Sequence, residues 1–266
     1  MLRSPIGAPF LRDILEKLAR GLISVDDAEK LLRTDAIGTV SRIAKLDVNR
    51  EVRKGIPEIV LAEHKSDEDL SRIALRMLEK GRVIVSRAVK TQIEALRKIA
   101  PADSSFWADE KTGIVIIKKR DFTVKKTGGR VGILAAGTAD IPVAEEARVI
   151  AEEMGCEVST SYDVGVAGIH RLFPPLREMI DRDVDVIVVV AGMEGALPSV
   201  VSGLVDVPVI GVPTSVGYGF GEGGVGALAA MLQACSLGLA VVNIDSGVAA
   251  GIMAVLIANR AARSRR

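Results

Sequence analysis

The sequence predicts an α/β protein in which a three-layer domain built on a parallel sheet follows a smaller N-terminal α/β domain. The main observation is an alternation of apolar runs with helix-like segments from about residue 127 onward. These runs are not interrupted by polar residues, which is typical of strands buried on both faces of a parallel sheet. The earlier part of the chain is richer in charge. A basic segment that ends in a double glycine, Lys125 to Gly129, marks the boundary between domains 1–126 and 127–266.

The N-terminal domain is predicted to be a small α/β unit preceded by helices. Amphipathic patterns indicate helices over Pro9 to Arg20 and Val25 to Arg33. A strand, helix, strand and helix follow in PEIVLAE, DEDLSRIALRMLEKG, RVIVS and AVKTQIEALRKIA, and GIVIIKK gives one more apolar run. Strands and helices in this order are typical of an α/β unit.

Five strands alternate with five helices in the predicted C-terminal domain. The strands are Val131 to Ala136, Glu157 to Tyr162, Val186 to Ala191, Val209 to Val212 and Ala240 to Ile244. The helices are Pro142 to Met154, Ala167 to Ile180, Ala196 to Leu204, Gly224 to Cys235 and Val248 to Asn259. This order predicts a flavodoxin or Rossmann-like sheet, in which ligands bind in loops at the carboxyl ends of the strands.

Composition narrows the range of partners. The net charge is +1 and 3% of the 266 residues are aromatic, which argues against nucleic acid and anionic membrane partners. The uncharged run from Gly223 to Ile244 could be taken for a membrane span, but its polar residues and Gly238 favour a buried helix and strand. The opening MLRSPIGAPFLRDILEKLARG has no secretory h-region. We therefore expect a cytoplasmic protein with free thiols and no membrane segment.

The loops after the five strands read AGTADIP, DVGVAGIH, AGMEGALP, PTSVGYGFGEGG and DSGVAAG. They combine small residues, which let a backbone approach a ligand, with polar groups and helix starts that suit an anion. Together they predict a nucleotide-like ligand, although none matches the dinucleotide or P-loop pattern. The candidate substrate-binding residues are Gly137, Thr138, Asp140, Asp163, Gly165, His170, Gly192, Met193, Gly195, Thr214, Ser215 and Asp245.

Glu194 lies in the turn AGMEGALP, directly after the predicted strand VDVIVVV. A carboxylate near a helix start could be a structural cap. However, the flanking residues are small or apolar, and partial desolvation by them would suit a general base. This favours a catalytic role for Glu194.

The remaining reactive groups have alternative interpretations. Cys235 is placed near the end of the most apolar predicted helix, where a cysteine is usually a core residue, and Cys156 is interpreted as structural. His64 and His170 are too few for a metal cluster of the His/Cys type. His170 could orient a substrate, move a proton or bond at a helix start.

Three aspartates remain open between structural and ligand-binding roles. Asp140, Asp163 and Asp245 could cap helices or reach a ribose or Mg²⁺, and the sequence does not identify metal ligands. No GxSxG motif supports serine hydrolase chemistry.

The segments GILAAGTADIPVAEEA, YDVGVAGIHR, VVVAGMEGALPSVVSGLVDVPVIGVPTSVGYG and NIDSGVAAG resemble one known family. They are similar to the C-terminal domain of the LarB family, the pyridinium-3,5-biscarboxylic acid mononucleotide synthases that begin nickel-pincer nucleotide assembly for lactate racemase. That domain is itself similar to the purine-pathway aminoimidazole ribonucleotide carboxylase, PurE. The resemblance runs from about Arg130 to Asn259, and PEIVLAEHK resembles the N-terminal half. Ser246 stands where many members have asparagine.

The resemblance implies a definite reaction. Members add CO₂ to C5 of the pyridinium ring of nicotinic acid adenine dinucleotide and cleave its phosphoanhydride to release AMP. The family's nucleophile falls on Cys235 and its acidic residue on Glu194. Mg²⁺ is the expected cofactor for the cleavage, CO₂ is a co-substrate, and no organic cofactor is expected. The related carboxylases form octamers, so a homo-oligomer is expected.

Three alternatives are considered. A purine carboxylase or mutase also moves CO₂ on a nucleotide, but it is usually a single domain without a role for Cys235. A nucleotide-binding regulatory protein would retain the sheet and bind the ligand without catalysis. A structural scaffold would leave the polar groups of the loops without a common purpose.

Overall fold

A computed structural model describes residues 11–34, 38–40, 44–46 and 55–265. The chain divides into two compact units between Phe122 and Thr123. Residues 9 and 10, which begin the first predicted helix, lie outside the described residues.

The described residues of the N-terminal unit form two small sheets. Its elements are helices α1 (Leu11–Ala19) and α2 (Val25–Thr34), strands β1 (Gly38–Val40), β2 (Ala44–Leu46) and β3 (Ile59–Leu61), helix α3 (Asp67–Leu78), strand β4 (Arg82–Ser86), helix α4 (Lys90–Ile99), and strands β5 (Ser104–Asp109) and β6 (Ile114–Lys119). Strands β1 and β2 pair antiparallel, and the larger sheet has the order β3-β4-β6-β5. Among the described strands of the larger sheet, β3 and β4 pair parallel, and the β4–β6 and β6–β5 pairs are antiparallel. The core of this unit packs α3 and α4 against β4 and β6.

The C-terminal unit confirms the predicted parallel sheet. Its elements are β7 (Arg130–Ala135), α5 (Ile141–Glu153), β8 (Glu157–Ser161), α6 (Phe173–Asp181), β9 (Val186–Ala191), α7 (Leu197–Ser202), β10 (Val209–Pro213), α8 (Val225–Leu232), β11 (Leu239–Val241) and α9 (Gly247–Ser264). The strand order is β11-β10-β9-β7-β8, and every pair is parallel.

Helices cover both faces of this sheet. Side chains of α6, α7 and α8, among them Met179, Val201 and Met231, form one core with the strands. Helices α5 and α9 pack closely on each other, because glycines of α9 leave room for the α5 backbone. Among the described residues, no helix combines the length and apolar character needed to cross a membrane.

Two predicted helices differ from the structure. The predicted helix Ala167 to Ile180 is a 3₁₀ turn, Val166–Arg171, followed by α6. The two prolines of the FPPL segment favour the first turn of a new helix, because backbone N–H groups have no partner within the helix there and proline lacks one. The predicted helix Gly224 to Cys235 is also too long, because α8 ends at Leu232.

The close contact of α5 and α9 predicts the effect of Gly247→Ala. The added methyl group would lie 2.2 Å from the Val143 carbonyl oxygen, so the helices must separate. We expect the free energy of unfolding to fall by about 1–3 kcal/mol, measured by urea denaturation. Ala249→Ser, at an exposed position of the same helix, is the control. Equal stability of the two variants would contradict this packing.

Candidate active site

The loops at the carboxyl ends of the five strands meet along one edge of the sheet. The backbone N–H of Val164, after β8, donates to the Ala135 carbonyl at the end of β7, at 3.1 Å. Gly165 approaches the same segment so closely that an added methyl group would lie 2.8 Å from the Ala136 carbonyl oxygen. Parallel strands place their carboxyl ends together, so the predicted binding residues share this edge.

Asp140 connects three of these loops. Its side chain is 4% exposed. One carboxylate oxygen accepts the backbone N–H of Gly137 at 2.9 Å, and the other accepts the hydroxyl of Thr214 at 2.6 Å. The backbone N–H of Gly192 also bonds to this carboxylate. Asp140 therefore fixes the loops after β7, β9 and β10 relative to one another.

Burial is the main influence on the ionisation of Asp140. Desolvation raises the pKa of this carboxyl above its ordinary value, and the nearby charge of Asp245 adds to the increase. The bonds from Thr214, Gly137 and Gly192 lower the pKa and so oppose the effect of burial. This carboxylate is thus a linking group within the protein, with both oxygens occupied.

The loops after β10 and β11 are held together in a similar way. The backbone N–H of Ser215 donates to Asp245 at 2.8 Å, and the backbone N–H of Asp245 donates to Pro213 at 2.9 Å. Asp245 has a φ of 54°. Thr214 is fully buried, whereas Ser215 is exposed and can face a ligand.

Glu194 lies on a tight turn that presents it to solvent. Met193 has a φ of 50°, and its N–H donates to the Val216 carbonyl at 2.8 Å. Gly192 is required here, because an added methyl group would lie 2.3 Å from that carbonyl oxygen. Glu194 is exposed in the single chain, so the predicted desolvation is wrong for the isolated chain. The N-cap of α7 is Ala196, which has no side-chain cap bond, so Glu194 is not the cap of this helix.

Arg171 was missed by the sequence reasoning. Its guanidinium donates to the Asp163 carboxylate, and it folds back over Gly168, where an added methyl group would lie 2.7 Å from the arginine Nε. His170 is exposed at the end of a 3₁₀ turn, so its predicted place at a helix start is wrong. The sequence offered one signal for Arg171, which is its position directly after His170 in a loop that was predicted to bind the ligand.

The thiol of Cys235 lies outside the helix that was predicted to contain it. Helix α8 ends at Leu232, and Cys235 occupies the loop that leads to β11. Its side chain is exposed, so the ordinary interpretation of a core cysteine is wrong. Cys156, by contrast, is buried, and burial raises the pKa of its thiol.

Glu194 and Cys235 do not lie at the same end of α8 within one copy of the chain. Gly195 contacts the first turn of α8, because an added methyl group would lie 2.6 Å from the Ala227 carbonyl oxygen. From Ala227, α8 runs about 8 Å further to Leu232, and Cys235 follows three residues later. Glu194 and Cys235 therefore lie toward opposite ends of this helix.

Helix α8 and the segments before and after it carry exposed apolar side chains, which we call the apolar strip. We define it as Tyr218, Phe220, Val225, Ala229, Leu232 and Leu237. Three of its members share one face of α8 at helical spacing. Exposed apolar side chains grouped on a helix face and its flanking segments are typical of an interaction site.

The three aspartates do not form a metal site in the single chain. Asp140 and Asp245 bond to backbone and hydroxyl groups, and Asp163 is paired with Arg171. Within the described part of the chain, no group of three His, Cys, Asp or Glu side chains could hold a metal ion. These residues therefore do not fit a Mg²⁺ ion held by a carboxylate cluster.

Two family models match this chain in succession. The model of the LarB/PurE-like N-terminal domain matches residues 38–119, and the model of AIR carboxylase matches residues 130–265. The second match contains the sheet edge described above.

Three relatives are similar to this chain over most or about half of its length. An uncharacterized protein of Methanocaldococcus jannaschii is 46% identical over 255 residues, which are 93% of this chain and 96% of that protein. The N5-carboxyaminoimidazole ribonucleotide mutase of Thermotoga maritima is 31% identical over 133 residues, 48% of this chain and 74% of the mutase. The corresponding mutase of Methanocaldococcus jannaschii is 33% identical over 126 residues, 47% of this chain and 76% of the mutase.

The role of Asp140 predicts a pH-dependent effect of Thr214→Val. Loss of the hydroxyl leaves a buried carboxylate short of a donor, which should lower the free energy of unfolding by about 1–3 kcal/mol near neutral pH. The pKa of Asp140 is higher in the folded than in the unfolded state, so the free energy of unfolding falls as the pH rises and Asp140 ionises. Without the Thr214 hydroxyl the folded pKa rises further, so the free energy of unfolding of the variant falls more than that of the wild type. The difference in free energy of unfolding between the wild type and Thr214→Val should therefore shrink at acidic pH, where Asp140 is protonated.

Urea denaturation at several pH values checks this expectation, with Thr214→Ser as the control that keeps the hydroxyl. A deficit of Thr214→Val that stays constant down to acidic pH would contradict it.

The two cysteines should differ in reactivity. Cys235 is exposed and should be alkylated in the native protein, whereas the buried Cys156 should react only after unfolding. Peptide mass spectrometry after brief treatment with iodoacetamide measures both. Labelling of Cys156 at a comparable rate in the native protein would show that the described packing is wrong.

Proposed function

This chain belongs to the LarB family, with a PurE-like carboxylase domain, and from that premise we propose a specific reaction. The protein carboxylates C5 of the pyridinium ring of nicotinic acid adenine dinucleotide and hydrolyses the phosphoanhydride to release AMP. The product is pyridinium-3,5-biscarboxylic acid mononucleotide, a precursor of the nickel-pincer cofactor.

The exposure of Cys235 carries this proposal. A thiol buried in α8 would be a packing group, as in the ordinary case. Here the thiol is accessible to a substrate, on a loop outside the helix. The AIR carboxylase reaction has no need of a thiol, so an accessible cysteine favours the pyridinium substrate over aminoimidazole ribonucleotide.

The chemistry requires a nucleophile and a base. The Cys235 thiolate adds to a ring carbon next to C5, and an electron pair moves to the ring nitrogen. The resulting enamine attacks CO₂ through C5 and forms the new carbon–carbon bond. Glu194 then removes the C5 proton, and the electrons of that C–H bond restore the ring as the thiolate leaves. The net change replaces the C5 hydrogen with a carboxylate.

Hydrolysis of the phosphoanhydride consumes one water, and the dinucleotide separates into AMP and the carboxylated mononucleotide. The small-residue loops at the sheet edge supply backbone N–H groups to the phosphates. Arg171, held by Asp163, supplies positive charge at the same edge. Mg²⁺ stays an expectation to be tested by its omission from the assay, since the described carboxylates do not fit a metal site.

A second copy of the chain completes the site in this proposal. Proton removal and thiolate addition at one ring need both groups within about 3–3.5 Å of their target atoms. The apolar strip has Glu194 near one end and Cys235 near the other. Two strips packed antiparallel about a two-fold axis would bring Cys235 of one copy to Glu194 of the other. This packing would also desolvate Glu194, and higher assemblies such as an octamer are compatible with it.

The products identify the reaction. After incubation with nicotinic acid adenine dinucleotide, bicarbonate and Mg²⁺, we expect mass spectrometry to detect AMP and a mononucleotide with one added carboxyl group. Cys235→Ala and Glu194→Gln should each lower its formation at least about 100-fold, since each removes a reacting group. Cys156→Ala is the matched control and should keep the activity. Carboxylation of aminoimidazole ribonucleotide instead would favour the purine reaction, and binding without turnover would favour a regulator.

Mixed oligomers test the contribution of two copies. Cys235→Ala and Glu194→Gln chains are each expected to be inactive, but co-expressed chains should recover part of the activity. The recovered sites would combine Glu194 of one chain with Cys235 of another. Recovery is measured on purified hetero-oligomers carrying two different tags. No recovery in hetero-oligomers of normal size would contradict the composite site.

A further inference from the structure

The loop that carries Cys235 is anchored on both sides of the cysteine. On one side, the backbone N–H of Gln233 donates to Ala229 at 3.0 Å and ends α8. On the other side, the Gly238 carbonyl accepts the N–H of Val209, the first residue of β10, at 3.0 Å. Gly238 has a φ of 90°, which allows the chain to turn into β11. These bonds fix the ends of the loop.

Ser236 provides a third anchor, next to the cysteine itself. Its hydroxyl lies 2.7 Å from the Ser199 carbonyl oxygen and 3.1 Å from the Ser199 hydroxyl. A serine hydroxyl has one proton to donate. Because the Ser236 proton goes to the carbonyl, the Ser199 hydroxyl is the donor in the second bond. The pair thus uses the hydroxyls of both serines to join the loop to α7.

We propose that Ser236 is a positioning residue for Cys235, an inference that rests on the proposed function of the thiol. Ser236 is adjacent to Cys235 in the chain, and Ser199 lies in α7, which packs against β9 and β10. The serine pair thereby fixes the cysteine backbone relative to the sheet, while the thiol stays exposed. The exposed side chain of Leu237 belongs to the apolar strip, so the same loop also contributes to the proposed contact between copies.

Positioning of this kind should affect the chemical step more than binding. Without the Ser236 hydroxyl the loop is still held at Gln233 and Gly238, but the backbone of Cys235 between them can move. A displacement of about 1 Å can lower a rate 100-fold when groups must be aligned. We expect Ser236→Ala to lower kcat about 10–100-fold and to change KM for the dinucleotide less than about 3-fold.

Ser202 offers a matched control in the same helix. Its hydroxyl donates to the same Ser199 carbonyl oxygen, at 3.1 Å, but it belongs to α7 and does not hold the cysteine loop. Ser202→Ala therefore removes a hydrogen bond to the same acceptor and should leave kcat unchanged. Ser236→Thr keeps the hydroxyl and should keep most of the activity.

The experiment combines steady-state kinetics with hydrogen exchange in the full chain. The expected result is a lower kcat and faster amide exchange over residues 234–238 in Ser236→Ala, with both close to the wild type in Ser202→Ala and Ser236→Thr. Equal kcat values for Ser236→Ala and Ser202→Ala in an active protein would overturn the positioning role.

Failure of the proposed function is distinguishable from failure of this inference. If the wild type makes no carboxylated mononucleotide, the proposed function fails, and a positioning role in catalysis fails with it. The exchange measurement still reports on the serine pair by itself. Unchanged exchange in Ser236→Ala would overturn the inference even when the wild type is active.

Discussion

The buried carboxylate of Asp140 is the constraint on which the binding edge depends. A carboxylate that is 4% exposed is unfavourable unless donors surround it. Here the donors come from three separate loops, so satisfying the charge also sets the positions of those loops. The turn that carries Glu194 begins at one of the donors, Gly192. The orientation of the proposed base is therefore coupled to the burial of a different carboxylate.

The loops of the binding edge are held firmly in place, whereas the two proposed reacting groups, Glu194 and Cys235, are exposed. The loops are tied by hydrogen bonds and close backbone approaches, but Glu194 and Cys235 both face solvent in the single chain. In the proposed assembly, a second copy covers the apolar strip and excludes water from both groups. Desolvation strengthens electrostatic interactions within a site. In this account assembly and catalysis depend on the same surface, which explains why the strip is apolar.

The parallel sheet could be predicted from the sequence because unbroken apolar runs such as VDVIVVV have few other uses in a globular protein. Strand β5 was missed because SSFWAD is half polar, as an edge strand can be. Cys235 was placed in a helix because the apolar composition continues past Leu232, and composition does not show where a helix ends. The pairing of Arg171 with Asp163 depends on the space above Gly168, which exists only in the folded chain.

The central claim is that the Cys235 thiolate adds to the pyridinium ring. It is tested most directly by titrating the protein with nicotinic acid adenine dinucleotide in the absence of bicarbonate while recording the near-ultraviolet spectrum. Addition converts the pyridinium into a dihydropyridine, which absorbs at longer wavelength. The account predicts a new band that saturates with site occupancy and is absent in Cys235→Ala. Binding detected by calorimetry without any new band in the wild type would contradict it.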